Sequence, residues 1–313
     1  MNRWREAFRN QRVLNVAHRG ARAFAPESTL VAIERAAEFG ADAIEIDVHH
    51  SRDEYIVVVH DDTLTRCSNV ASVFPSTSEY FVSNFSLEQL QSLDAGSWFI
   101  EQIKLGSSAS ETYVQEITES ERSELLPPSV CASISIGTRI PTLVECLELA
   151  RDLNLLVNVE IKSLPRMYPR LAVNVVDTVR QIDCELMVLV SSFDHRQLIT
   201  VRELSEEMAT GVLTGSRIAK PDEYLRLLKA DAYHPCCNGD FDSMGLGSID
   251  GTVDRDTVES VQAIGAGVQP WTVNDLSSIS KLLDAGVSGI ISDFPNRVAA
   301  KLLDNSKGWI GLP

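Results

Sequence analysis

Short β-rich apolar runs recur along this chain, and each is followed by a segment with helical periodicity. The pattern predicts strands at 13–17, 43–49, 155–161, 186–191, 210–214, 230–234, 267–272 and 288–292. It predicts helices at 29–39, 142–152, 170–181, 195–207, 222–229, 255–264, 275–285 and 295–304. Strict alternation implies a parallel sheet with its helices outside. About eight strands is the number that closes a TIM (β/α)8 barrel. A doubly wound open sheet is the alternative, but its glycine fingerprint is missing, because Gly20 stands alone after the first strand. With 313 residues the chain is long enough for one such barrel, and we read 1–313 as a single domain.

Two stretches break the alternation. Residues 51–60 (SRDEYIVVVH) read as a short extra strand returning to the barrel mouth. Residues 97–138 are rich in Ser, Glu and Thr, with a Pro127-Pro128 stop, and form an inserted loop or small subdomain between the second and third barrel strands. Ser28 or Thr29 caps the first helix, and Gly40 ends it.

The formal charge of −16 argues against nucleic acid or an anionic membrane as main partner. A phosphate substrate stays open, since local cations and a metal reverse the field inside one cleft. No apolar run approaches eighteen residues, so no membrane span is indicated. The charged N-terminus lacks the apolar core of a secretory signal, and the expected location is cytoplasmic. The six cysteines form no C-x-x-C pair and support neither a zinc site nor a disulfide framework.

Polar residues gather near the start: His18-Arg19-Gly20, Glu27, Glu45-Ile46-Asp47 and His60-Asp61. On the strand at 43–49, period two puts Ala43, Glu45, Asp47 and His49 on one face, with Ile44, Ile46 and Val48 on the other. Asn158, Glu160 and Lys162 repeat this arrangement opposite Val157, Val159 and Ile161. The apolar faces pack under the outer helices and the acidic ones point into the barrel.

Carboxylates there are expensive unless paired or bound to a cation. Glu45, Asp47 and Glu160 could supply the hard oxygen ligands that Mg²⁺ or Ca²⁺ prefers; internal salt bridging to Arg19 and Lys162 is the alternative. That alternative leaves His18 and His60 unexplained. Two histidines converging on such a cluster can move protons near neutral pH, and Arg19 and Lys162 can bind phosphate oxygens. The group as a whole suits metal-assisted attack on a phosphate ester. His49 is a candidate partner behind the acids, His195 is expected in solvent, and Ser192 and Asp293 are expected to make polar loop contacts. No G-x-S-x-G elbow supports a serine nucleophile.

The segment AHRGARAFAPESTLVAIERAAEFGADAIEIDVHHSRDEYIVVVHDDTLTR resembles the opening signature of the glycerophosphodiester phosphodiesterase family. The pattern continues with LQSLDAGSWF, RIPTLVECLELA, NVEIK, SSFD, VQPWTVND and GVSGIISDFP, in the family's order. Only the first dozen residues and roughly 100–138 fall outside it. The resemblance implies that Glu45, Asp47 and Glu160 are divalent-metal ligands and that His18 and His60 are the acid/base pair. It places Arg19 and Lys162 on phosphate, Trp271 near the alcohol-binding part of the mouth, and Glu27 behind the histidine–arginine turn.

Two positions depart from the family pattern. Ser28 stands where Asn is usual, and HPCCNGDFD, beginning at His234, is unfamiliar text; His234 either reaches the mouth or is simply a strand-end residue. The implied reaction is metal-dependent hydrolysis of a small-molecule glycerophosphodiester to glycerol 3-phosphate and an alcohol. The cofactor is one divalent cation, Mg²⁺ or Ca²⁺, with Mn²⁺ a further candidate. The attacker is either water or the substrate's own 2-hydroxyl, the latter through a cyclic phosphate as in the related phosphatidylinositol phospholipases C. A lysophospholipase D or sphingomyelinase D-like activity is the nearby alternative. A non-catalytic phosphodiester-binding barrel is the distant one. Neither the alcohol nor the oligomeric state is legible.

Overall fold

The computed structural model describes residues 1–135, 137–163, 168–237, 246 and 253–304. Nine strands are named: β1 (Leu14–His18), β2 (Ala43–His50), β3 (Ile56–Val58), β4 (Leu156–Ile161), β5 (Val188–Ser192), β6 (Ala209–Thr214), β7 (Ala232–Pro235), β8 (Gly267–Val268) and β9 (Gly289–Ser292). All but β3 are joined by parallel pairing, in the order β8-β7-β6-β5-β4-β2-β1-β9, while β3 folds back antiparallel on β2. This is a nearly closed eight-stranded parallel barrel. The seam between β8 and β9 is stitched by Ser288 N–H to the Val268 carbonyl (2.8 Å), Ile291 N–H to Pro270 (3.0 Å) and Val273 N–H to Ile291 (3.0 Å).

Helix α1 (Arg3–Arg9) precedes β1, and α2 (Leu30–Glu38) follows it. After β3 come the short α3 (Val70–Val73) and α4 (Leu87–Gln91). Four helices then fill the interruption: α5 (Ser97–Leu105), α6 (Thr112–Gln115), α7 (Glu119–Leu125) and α8 (Pro128–Ser135). Helix α9 (Leu143–Asp152) leads into β4. Among the described residues, strands β4 to β9 are followed in turn by α10 (Leu171–Gln181), α11 (His195–Leu204), α12 (Pro221–Leu228), α13 (Arg255–Gln262), α14 (Leu276–Ala285) and α15 (Pro295–Asp304).

The apolar faces behave as period two demands. Ile44, Ile46 and Val48 of β2 join Val157, Val159 and Ile161 of β4 in the main core, against Leu143 and Leu147 of α9. Helix α1 packs on the barrel as well: Trp4 is fully buried, and its indole N–H donates to the Met187 carbonyl at 3.0 Å.

Several expectations need correction. The strand expected at 267–272 is only two residues long, because Pro270 has no N–H to give a ladder. The extra strand expected at 51–60 keeps three paired residues, Ile56–Val58. Thr29, not Ser28, caps α2, accepting from Ala32 N–H. Pro127-Pro128 is not simply a stop: Pro128 opens α8, where its missing N–H would have had no partner anyway. His195 is not free in solvent, since its ring nitrogens lie 2.8 Å from the Tyr224 hydroxyl and 2.8 Å from the Leu213 carbonyl.

Candidate active site

Strand register assembles the site. His18 on β1 pairs with Glu45 on β2, and Asp47 on β2 pairs with Glu160 on β4. Paired residues on adjacent strands sit about 4.8 Å apart and point the same way. One carboxylate oxygen from each of Glu45, Asp47 and Glu160 therefore lies within 4.8 Å of the other two. All three side chains are buried.

These acids strain one another electrostatically. Burial, followed by the charges of Asp47 and Glu160, pushes the Glu45 carboxyl well above the usual range. Burial and Asp47 raise Glu160, against the pull of Lys162. Burial would raise Asp47 too, but His60, Lys162 and Arg19 outweigh it and hold its carboxyl at about 2. Glu45 Oε1 and Asp47 Oδ2 are buried without a hydrogen-bond partner. Clustered hard oxygens with orphaned lone pairs fit a divalent cation. Lys162 provides partial neutralisation, with Nζ 2.9 Å from Glu160 and 3.4 Å from Asp47.

The His18-Arg19-Gly20 turn is built for close approach. Arg19 (φ +54°) and Gly20 (φ +79°) are both left-handed. A Cβ on Gly20 would sit 2.7 Å from the Ala32 carbonyl carbon, so a side chain has no room there. The turn aims the Arg19 N–H at Glu45 Oε2, 3.1 Å away. It is locked by Glu27, whose buried carboxylate accepts from Arg19 (2.8 Å), Arg22 (2.9 Å) and Arg66 (2.7 Å). Burial works against that charge, and the three guanidiniums still hold the Glu27 carboxyl far below its ordinary range. Glu27 thus lies behind the turn and away from the three-acid cluster.

Each histidine rests on a carboxylate. His18 Nδ1 is 2.7 Å from Asp293 Oδ1, and His60 Nδ1 is 2.6 Å from Asp61 Oδ1. Burial, Arg19 and Arg22 pull His18 down to about 4 against the opposing Asp293, so its ring is neutral at pH 7. Arg66 grips Asp61 at 2.7 Å. His49 Nε2 lies 3.1 Å from the His60 carbonyl and steadies that loop from behind. Neither Asp293 nor Asp61 was marked as functional by sequence reasoning. A carboxylate directly after a strand or a histidine has many ordinary uses, and only the fold shows which nitrogen it meets.

His18, Arg19, Glu45, His60, Glu160, Lys162 and Trp271 line one cleft of about 250 Å³, with Asp293. Asp47 lies beneath it, fixed between Arg19 and Lys162. The Trp271 indole N–H donates to the His234 carbonyl at 2.9 Å, and its ring meets Phe193 edge-on at 5.4 Å. His234 itself is fully buried among the strands and does not reach the mouth. Residues 238–242 of the unfamiliar text lie outside the described residues.

Ser28 also differs from expectation. It adopts φ +57°, and its hydroxyl is buried without a partner. The four-helix segment contributes to the cleft through Thr112 and Glu116, a role nothing in its composition announced.

Residues 18–297 match the model of the glycerophosphoryl diester phosphodiesterase family. The chain is 31% identical over 284 residues to the glycerophosphodiester phosphodiesterase of Caldanaerobacter subterraneus, covering 91% of this chain and 95% of that one. It is 30% identical to the enzyme of the same description from Bacillus altitudinis, over 93% and 98% of the two chains. Among solved structures, an Oleispira antarctica phosphodiesterase in complex with the product sn-glycerol-3-phosphate superposes with a TM-score of 0.67 at 26% identity, covering 92% and 95%. A Silicibacter pomeroyi structure shares the fold with a TM-score of 0.76 at 22% identity, over 99% and 100%.

Proposed function

The chain belongs to the glycerophosphoryl diester phosphodiesterase family and is an enzyme of that activity, and on this premise we propose how its residues divide the work. The substrate is a glycerophosphodiester, released as glycerol 3-phosphate and an alcohol. The observation that carries the reading is the convergence of two carboxylate-backed histidines on three buried acids. The product bound in the Oleispira antarctica relative supports the same bond being cut here.

Glu45, Asp47 and Glu160 would hold one divalent cation, Mg²⁺ or Ca²⁺. When bound, that ion supplies Lewis-acid polarisation of a phosphoryl oxygen and offsets the acids' charge. Arg19 and Lys162 clamp the remaining phosphate oxygens. His18, kept neutral by burial and with Nδ1–H donated to Asp293, offers Nε2 as the base that takes the proton of the attacker, either water directly or the substrate's 2-hydroxyl, whose cyclic phosphate water then opens to glycerol 3-phosphate. His60, steadied by Asp61, protonates the departing alkoxide. Trp271 walls the alcohol side.

The cleft wall supplied by the four-helix segment is polar, with Thr112 and Glu116. This favours a water-soluble diester over a lysolipid, whose acyl chain needs an apolar surface. No helix among the described residues is long and apolar enough to cross a membrane. The test is release of glycerol 3-phosphate from glycerophosphocholine and glycerophosphoethanolamine, with EDTA, Mg²⁺, Mn²⁺ or Ca²⁺. Cation-dependent release, abolished by His18→Ala and by His60→Ala, is expected. Turnover that survives both substitutions would sink the histidine assignment.

A further inference from the structure

The cleft has a buried end and an exposed rim, and the chemistry of the rim is unassigned. At the buried end are Glu45 and Glu160; at the rim are Glu116, Phe193 and Trp271. Four acids among the described residues line the cleft: Glu160 has Lys162 and Asp293 has Arg22 within 4 Å, while Glu45 belongs to the three-acid cluster and faces the neutral His18 ring. Among the described lining residues, Glu116 is the acid outside that cluster with no ion pair within 4 Å. The nearest obvious candidate is otherwise engaged, since the Arg297 guanidinium binds Glu121 at 2.6 Å and the Glu116 backbone carbonyl at 2.8 Å.

Glu116 is nevertheless held in place. Just before it, Glu111 pairs with Arg22 at 3.1 Å, and the Tyr113 ring is buried under that same guanidinium, 4.2 Å from its centroid. Its carboxylate faces Asn274, three residues beyond Trp271. The surroundings are negative: partial burial and the charges of Asp293 and Asp275 raise the Glu116 carboxyl, with Asn274 and Arg297 opposing. Two aromatic rings in edge contact, lining the same cleft as an acid with no ion pair of its own, make a seat for an organic cation.

We propose that Glu116, with Phe193 and Trp271, makes the enzyme selective for glycerophosphodiesters whose alcohol carries an ammonium or quaternary ammonium group. The inference rests on the hydrolase reading above, and it assigns Glu116 to specificity and not to the chemical step. The phosphate binds at the buried end, and the alcohol on its other ester arm extends to the rim. A cationic alcohol meets the carboxylate and the ring faces there, whereas a neutral polyol gains neither contact.

The experiment compares kcat/KM for glycerophosphocholine and glycerophosphoethanolamine with that for glycerophosphoglycerol, in wild type, Glu116→Gln and Glu116→Asp. Wild type should favour the cationic pair. Glu116→Gln should reduce the cationic-to-neutral ratio about tenfold, mainly through KM, and Glu116→Asp should retain most of it. An unchanged ratio in Glu116→Gln, or equal losses on all three substrates, overturns the proposal. Calorimetric binding of glycerophosphocholine gives an independent reading. Affinity that falls in Glu116→Gln supports the cation seat even if no substrate turns over, a result that would defeat only the hydrolase reading. Equal affinities in the two proteins defeat the seat.

Discussion

Asp293 holds His18 across 275 residues of chain, with Oδ1 2.7 Å from Nδ1. The carboxylate is itself oriented by the Asn274 amide at 2.9 Å, and burial fails to neutralise it because Arg22 and His18 keep its pKa low. It therefore fixes which ring nitrogen carries the proton. In Asp293→Asn an amide can donate to Nδ1 and reverse the tautomer, so kcat should fall about a hundredfold, with a smaller change in KM. Steady-state release of glycerol 3-phosphate checks this; a kcat within twofold of wild type removes Asp293 from the mechanism.

The three-acid cluster sets stability against activity. Glu45 has a raised pKa in the fold, so its contribution to stability is present below the unfolded value and is lost as pH rises from there through the raised folded value. Glu45→Gln should raise the melting temperature of the metal-free protein at pH 7.5 by about 2–4 °C, the shift expected from ~1 kcal/mol in a chain of this size. The same substitution should abolish the upward shift that millimolar Mg²⁺ or Ca²⁺ gives wild type. Activity should vanish with EDTA and return with the cation. Equal cation shifts in both proteins would remove Glu45 from the ligand set.

Ser28 occupies a left-handed backbone position that Asn tolerates better. It also borders a small cavity of about 20 Å³. Ser28→Asn should stabilise the protein by about 0.5 kcal/mol, part of the strain such positions store. Urea denaturation reports it as a higher midpoint at unchanged slope. A lower midpoint means the amide clashes or stays unpaired.

Acid should weaken the fold through its buried histidines. His234 is fully buried, and burial draws its pKa down to about 4, with Gln269 opposing. The unfolded chain protonates near pH ~6.5, so it takes up the extra proton. Stability is complete above that pH and declines towards pH 4, by up to about 3 kcal/mol for one such group. His234→Asn should be less stable at pH 7.5 yet lose less on acidification to pH 4.5. Parallel pH curves for the two proteins would contradict this account.

What was legible in the sequence is what period and spacing encode. Glu45 and Asp47 are two apart on a run of apolar residues, so a strand puts them on one face, and Glu160-Ile161-Lys162 repeats the device. Barrel closure brings the copies together. The Ser28 conformation was not legible, because a serine beside a threonine reads as a cap and only the backbone reveals which residue does it. Asp293 and Asp61 were overlooked because contact with a specific nitrogen is a property of three-dimensional register. Glu116 was hidden for another reason: it ends a four-residue helix, too short to show a periodic face.

The ion pair of Arg297 with Glu121 ties the four-helix segment to the last helix of the barrel. That makes order of synthesis matter. A nascent chain halted before residue 289 already has both histidines and all three acids, yet it lacks Asp293 behind His18 and Arg297 beside Glu116. Every group that chemistry needs is then present while the cleft is still unfinished. The enzyme's competence is thus deferred until β9 and α15 have left the ribosome, and a chain cut just before residue 289 should be silent although it keeps every one of its reactive side chains.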